Sequence, residues 1–117
     1  MKYEMQKISR IVDVMMNFYL HHSAKKMNMS IEDDNDKYIL IFDANEISCS
    51  DALANQLTKL LNIERQREVE EIYWQLGGND NDGEEINLVG MMVDEVKIDF
   101  KCPSLKIKLI RYKDNKK

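Results

Sequence analysis

Apolar residues at Met5, Ile8, Val12, Met15, Met16 and Tyr19 recur three and four positions apart. That spacing gathers them on one face of a helix running from Met5 to about Ser23. Met27, Met29 and Ile31 then alternate with polar residues, as do Tyr38, Leu40 and Phe42, and the run Asp33-Asp34-Asn35-Asp36 separates the two sets. Alternation puts one side of each segment in a core, so this stretch predicts two strands joined by a polar turn.

Ser48, with Asp51 three residues later, has the form of a helix start ahead of Leu53, Leu57, Leu60 and Leu61. Helical spacing resumes at Val69, Ile72, Tyr73 and Leu76, and Gly77-Gly78 supplies a stop, so a helix pair is expected from Ser48 to Leu76. Asn79 to Gly83 predicts a polar loop, and Ile86 to Val93 a short helix. Val96, Ile98 and Phe100, then Leu105, Ile107 and Leu109, alternate around Pro103-Ser104 as a second pair of strands. Hairpins near 27 to 43 and 95 to 112, with amphipathic helices between them, each have one apolar face to cover. The pattern therefore predicts an α+β fold: a two-layer α/β sandwich with a mixed or antiparallel sheet and helices on one face.

The length of 117 residues suits one domain, residues 1 to 117, and 44% hydrophobic with 32% charged residues is an ordinary globular balance. The net charge of −4 argues against a general grip on nucleic acid. Positive charge does collect at Lys106, Lys108, Arg111, Lys113, Lys116 and Lys117, read as a solvated strand face and basic tail, or as a patch that steers an acidic partner. No apolar run reaches the roughly 18 residues that cross a bilayer, and the first residues lack the apolar core of a secretory signal. The expectation is a cytoplasmic protein without a membrane partner. In a reducing compartment Cys49 and Cys102 are expected to be small apolar residues with no disulfide between them.

Candidate chemistry lies first on the N-terminal helix, where Asp13, Asn17 and His21 are four residues apart and share one stripe. A carboxylate and a carboxamide one turn apart can position a hydroxyl and a hard cation; on many helices such a stripe is only the wet side. His21, His22, Cys49 and Cys102 never form a zinc-ligand spacing, and nothing marks Cys49 as an activated nucleophile. The eight methionines suit irregular gaps in a core, and Tyr73 with Trp74 suits either a core or an interface anchor.

The segment from Asp13 through Asn17 to His21 resembles the N-box helix of the anti-sigma factor serine kinase branch of the Bergerat-fold (GHKL) histidine-kinase-like ATPases. The segment Tyr38-Ile39-Leu40-Ile41-Phe42-Asp43-Ala44-Asn45 is similar to the strand that ends in that family's first glycine box. Gly83 to Val96, ending in Asp94-Glu95-Val96, is similar to the stretch from the second glycine box into the next strand. The resemblance covers about residues 8 to 112 and implies a histidine kinase-like ATPase fold truncated at the N-terminus. It implies Asp13 as the general base toward a serine of a substrate protein, Asn17 as the magnesium ligand, Asp43 as acceptor of the adenine amino group and Gly83 as part of the phosphate loop. ATP and Mg2+ would be the cofactors.

The sequence departs from that pattern where close backbone approach to phosphate is needed. Asn45 and Ile47 replace the two glycines after Asp43, and Glu85 places a carboxylate where the triphosphate would lie. The expected function is therefore a regulatory module that binds a protein partner or itself as a homodimer, derived from the kinase scaffold with weakened or lost nucleotide binding. An active ATP-dependent protein serine kinase and an unrelated α+β domain are the alternatives.

Overall fold

The computed structural model describes residues 4–68, 70 and 82–113. The chain order is α1 (Glu4–His21), β1 (Met27–Asp34), β2 (Lys37–Ala44), α2 (Asp51–Asn62), α3 (Asp82–Met92), β3 (Glu95–Lys101) and β4 (Ser104–Tyr112). The four strands form one sheet in the order β1-β2-β4-β3, and every neighbouring pair is antiparallel. This is the expected α+β class, with both hairpins in place.

Period-two alternation decides which strand residues meet the helices. Leu40, Phe42 and Ala44 of β2 and Leu105, Ile107 and Leu109 of β4 are buried on one face, joined by Val96, Ile98 and Phe100 of β3. Ile8, Ile11, Val14, Met15, Phe18 and Tyr19 of α1, with Leu53, Leu57 and Leu60 of α2 and Ile86, Val89 and Met92 of α3, complete the core. α3 lies between the other two helices in the contact order, packing on both. It meets the end of α2 so closely that a Cβ at Gly90 would sit 2.8 Å from Ile63 Cβ, so only glycine fits without a shift.

Local chemistry closes the elements. At the end of α1, Ser23 takes a left-handed φ of 69°, and Ser23 and Ala24 N–H groups return to the Leu20 and Tyr19 carbonyls at 3.0 Å each. Asn35 takes φ 57° in the β1–β2 turn, a conformation that asparagine tolerates better than most residues. The cap of α2 is Ser50 rather than Ser48: Ser50 Oγ accepts from Leu53 N–H at 3.1 Å, while Ser48 N–H donates to the His22 carbonyl at 2.8 Å. Capping position follows the first residue with helical backbone, and tertiary contact holds Ser48 outside it. α3 begins at Asp82, so Asp82 and Gly83 belong to a helix and not to the expected loop. The predicted helix around Val69 to Leu76 and its Gly77-Gly78 stop lie largely outside the described residues, although residues 67, 68 and 70 are helical. Tyr73 and Trp74 lie outside them altogether.

Cys49 and Cys102 are joined as a disulfide, with Cα atoms 6.2 Å apart, which corrects the expectation of two separate thiols. The reason is topological. β2 and β4 are antiparallel neighbours paired through Ala44 and Leu105, so the loop leaving β2 and the turn entering β4 emerge side by side. Ile47 N–H donates to the Pro103 carbonyl at 3.0 Å, fixing that approach.

Candidate functional site

The two ends of α1 carry different chemistry. Its N-terminal end enters a cluster of ions whose centre, Lys7, Glu70 and Arg111, is closed off from water. Lys7 lies on the same stripe as Ile11, Val14 and Phe18, one turn and more ahead of them, so packing the stripe buries its stem and its ammonium group. Lys7 Nζ donates to Glu70 Oε2 at 2.9 Å, and Arg111 Nη2 to the same oxygen at 2.8 Å. Arg111 also donates Nη1 to Glu70 Oε1 at 3.1 Å and to the Met92 carbonyl at 2.6 Å, and its Nε and Nη2 reach the Glu4 carboxylate at 2.8 and 3.0 Å. Arg65 adds Nε to Glu70 Oε1 at 3.1 Å and Nη1 to Asp94 Oδ2 at 2.8 Å.

Among the described residues the acids Glu4, Glu70 and Asp94 thus face Lys7, Arg65 and Arg111, and Arg67 Nη2 reaches Asp94 Oδ1 at 3.4 Å from the exposed side. Burial pushes the Glu70 carboxyl up, but the hydrogen bonds from Arg111 and Lys7 outweigh it and bring the pKa down to about 2. Glu4 is lowered too, burial again being overcome by Arg111. With its donors and acceptors paired inward, this cluster ties α1, α3 and β4 together. Arg111, read as part of a solvated basic face, is fully buried instead. Lys113 of that same group pairs with Asp33 at 2.6 Å.

The C-terminal end of α1 is open. Asn17 and His21 line a cleft of about 390 Å³ with Val14, Phe18 and Leu20 of α1, Gln56 of α2 and Ile86 of α3. That volume is within the range of small-molecule sites, and its wall mixes apolar carbon with carboxamide and imidazole groups. His22, behind the cleft, is buried and hydrogen-bonded to Gln56 Oε1 at 2.7 Å through Nε2, with its ring 5.0 Å from that of Phe18. The Tyr19 hydroxyl donates between two carbonyls, Phe42 at 2.9 Å and Leu105 at 3.1 Å, clamping α1 to the two central strands. Burial, with the nearby Asp43 carboxylate, pushes that hydroxyl well above the usual tyrosine range.

Of the residues singled out in the sequence, Asn17 and His21 share the cleft. Asp13 does not line it: the side chain is half-exposed and accepts from Arg10 Nη1 at 3.2 Å. Asp43 does not line it either. Its neighbours Phe42 and Ala44 are buried against the helices, so strand alternation puts the Asp43 carboxylate on the opposite face of the sheet. There it accepts from Asn28 Nδ2 at 3.4 Å and sits opposite Lys106 of β4. Asp13, Asn17 and Asp43 therefore do not surround one cleft. Gly83 is in the first turn of α3. Ile47, at one expected glycine position, is a core residue at 5% exposure.

Sequence reading missed Lys7, Glu70 and Gln56. A lysine on the deepest apolar stripe of α1 was the available signal for the first; Glu70 and Gln56 had none, because Lys7 and Arg111, which bury Glu70, and His22, which bonds Gln56, are far away in the chain. Among the described residues no group of His, Cys, Asp and Glu is placed to hold a metal ion, and no helix is long and apolar enough to cross a membrane. No protein-family model matches the sequence, and no curated protein matches it.

Proposed function

We propose that the chain is a regulatory protein-binding module with nucleotide binding weakened or lost. With Asn17 and Asp43 on opposite sides of the sheet, the likeness to the anti-sigma serine kinase-like ATPases does not extend to a shared nucleotide site, and the reading stands on the α+β domain itself. The observation that carries this reading is the separation of Asn17 from Asp43. An adenine-recognising acid and a magnesium-binding carboxamide must face one cavity to hold one nucleotide, and here the sheet stands between their side chains. Ile47 supports it further, since a buried core residue in place of a glycine leaves no room for phosphate against that backbone. Large apolar side chains at the surface, Met29 at 41% and Ile31 at 50% exposure on one strand face, favour a protein as the ligand.

Titrating the protein with Mg-ATP in a calorimeter tests the reading. The expected result is no heat and no thermal shift. Micromolar binding, worth about −8 kcal/mol, would overturn it and favour the protein kinase alternative with Asp13 as base.

A further inference from the structure

The sheet has two edges, and they are not equally covered. α2 packs against β3, and its inward residues Val96, Ile98 and Phe100 are half-buried on the core. β1 pairs with β2 along its whole length, residues 27–34 against 44–37, with no bulge. Among the described residues no strand pairs with its other side, and its six interior residues are exposed. Met29 and Ile31 stand on the helix-side face, opposite Phe42 and Leu40, yet keep 41% and 50% exposure. Proline, bulges or inward-pointing charges would blunt such an edge against pairing, and the middle of β1 has none of them.

The order of charge along this edge selects its occupant. Lys25 and Lys26 lie at the head of β1, and Glu32, Asp33 and Asp34 at its tail. Lys25, Lys26 and Glu32 are exposed, and they make no ion pair among the described residues. A strand with a basic head and an acidic tail complements its own reverse. Laid antiparallel about a twofold axis through Met29, it sets Met29 against itself, Met27 against Ile31 and Lys26 against Glu32. Residues opposite one another share a face of the sheet, so the apolar pairs meet on the helix side and the Lys26–Glu32 pairs on the open side. Twofold symmetry makes each unlike pair twice.

We infer that a second copy of this chain seats along β1, antiparallel strand to strand about Met29, joining the two sheets into one. The inference rests on the protein-binding reading above and names the partner and the surface.

The test is light scattering of the full chain over a concentration series, with circular dichroism confirming that each variant is folded. The parent is expected to be a dimer. Lys26→Glu and Glu32→Lys alone should each raise the dissociation constant about tenfold, by turning two attractive cross-strand pairs into repulsive ones. Lys26→Glu with Glu32→Lys in one chain should return it to within about threefold of the parent. Ile31→Lys, at a half-exposed position that the monomer tolerates, should give monomer.

A parent that stays monomeric overturns the inference, and so does a dimer indifferent to all four variants. Single reversals that weaken the dimer without rescue by the pair overturn the antiparallel seat about Met29. None of these outcomes moves the Mg-ATP titration, so the protein-binding reading is judged separately.

Discussion

One end of α1 is held by charges, the other by neutral contacts around a cleft, and the two ends should respond differently to damage. At the N-terminal end, Lys7, Glu70 and Arg111 are each at most 1% exposed. Bringing three such groups out of water costs several kcal/mol each, and their mutual attraction repays it only while every partner is present. The cluster is therefore poor evidence of net stability and strong evidence of intolerance. At the C-terminal end the Tyr19 hydroxyl, the His22–Gln56 bond and the exposed Asn17 involve no buried ion pair, so losing one partner strands a dipole and not a charge. Function that needs variation is better placed at the second kind of site, because its residues can change without unfolding the domain.

The sharpest test of that contrast is Glu70→Ala, which removes the acid that Lys7 and Arg111 share and leaves Glu4 as the remaining acid hydrogen-bonded to Arg111. It should cost about 3–5 kcal/mol in denaturant unfolding. Replacing Lys7, Glu70 and Arg111 together by apolar residues of similar volume should recover most of that loss. A Glu70→Ala cost below about 1 kcal/mol would mean that water reaches the cluster.

Acid should attack the same end. The Glu70 pKa is lowered in the folded state, to about 2 from an ordinary 4.5, so its contribution is fully present above about pH 4.5 and is lost as the pH falls toward 2. The loss should approach 3 kcal/mol from this group, an order-of-magnitude figure from about 1.4 kcal/mol per pH unit. Chemical denaturation at pH 6, 4 and 2.5 measures it, and the Glu70→Ala variant should show a correspondingly flatter profile.

At the open end, Tyr19→Phe removes one hydroxyl from between two strand carbonyls and should cost about 1–2 kcal/mol. Hydrogen exchange should then speed up at the C-terminal end of α1 before its N-terminal end. Asn17→Ala, on the exposed rim of the cleft, should change stability by no more than about 0.5 kcal/mol. A larger effect of Asn17→Ala than of Tyr19→Phe would reverse the comparison.

Local periodicity carried most of the fold. The spacing of Ile8, Met15 and Tyr19 and the alternation of Leu40, Phe42, Leu105, Ile107 and Leu109 determined helix, strands and buried faces, because those faces repeat within a few residues and no distant partner is needed to define them. The same alternation held the sidedness of Asp43 from the start: Leu40 and Phe42 inward oblige Asp43 outward. Its pairing with Asn17 in one site came from motif resemblance and not from that count.

What only the tertiary structure decided involves residues whose surroundings come from elsewhere in the chain. Arg111 reads as one more basic residue near the C-terminus until α1, α3 and residue 70 close over it, and nothing beside it in sequence announces Glu4 or Glu70. Cys49 and Cys102 are 53 residues apart and become neighbours through the pairing of β2 with β4. Ile47 looks like a loop residue beside a glycine motif, and becomes core because its backbone is bonded to the Pro103 carbonyl across the sheet. A sequence states what each segment prefers within its own few residues; which charges are sealed, which thiols meet and which loop is buried depend on surfaces that exist only after those segments have packed.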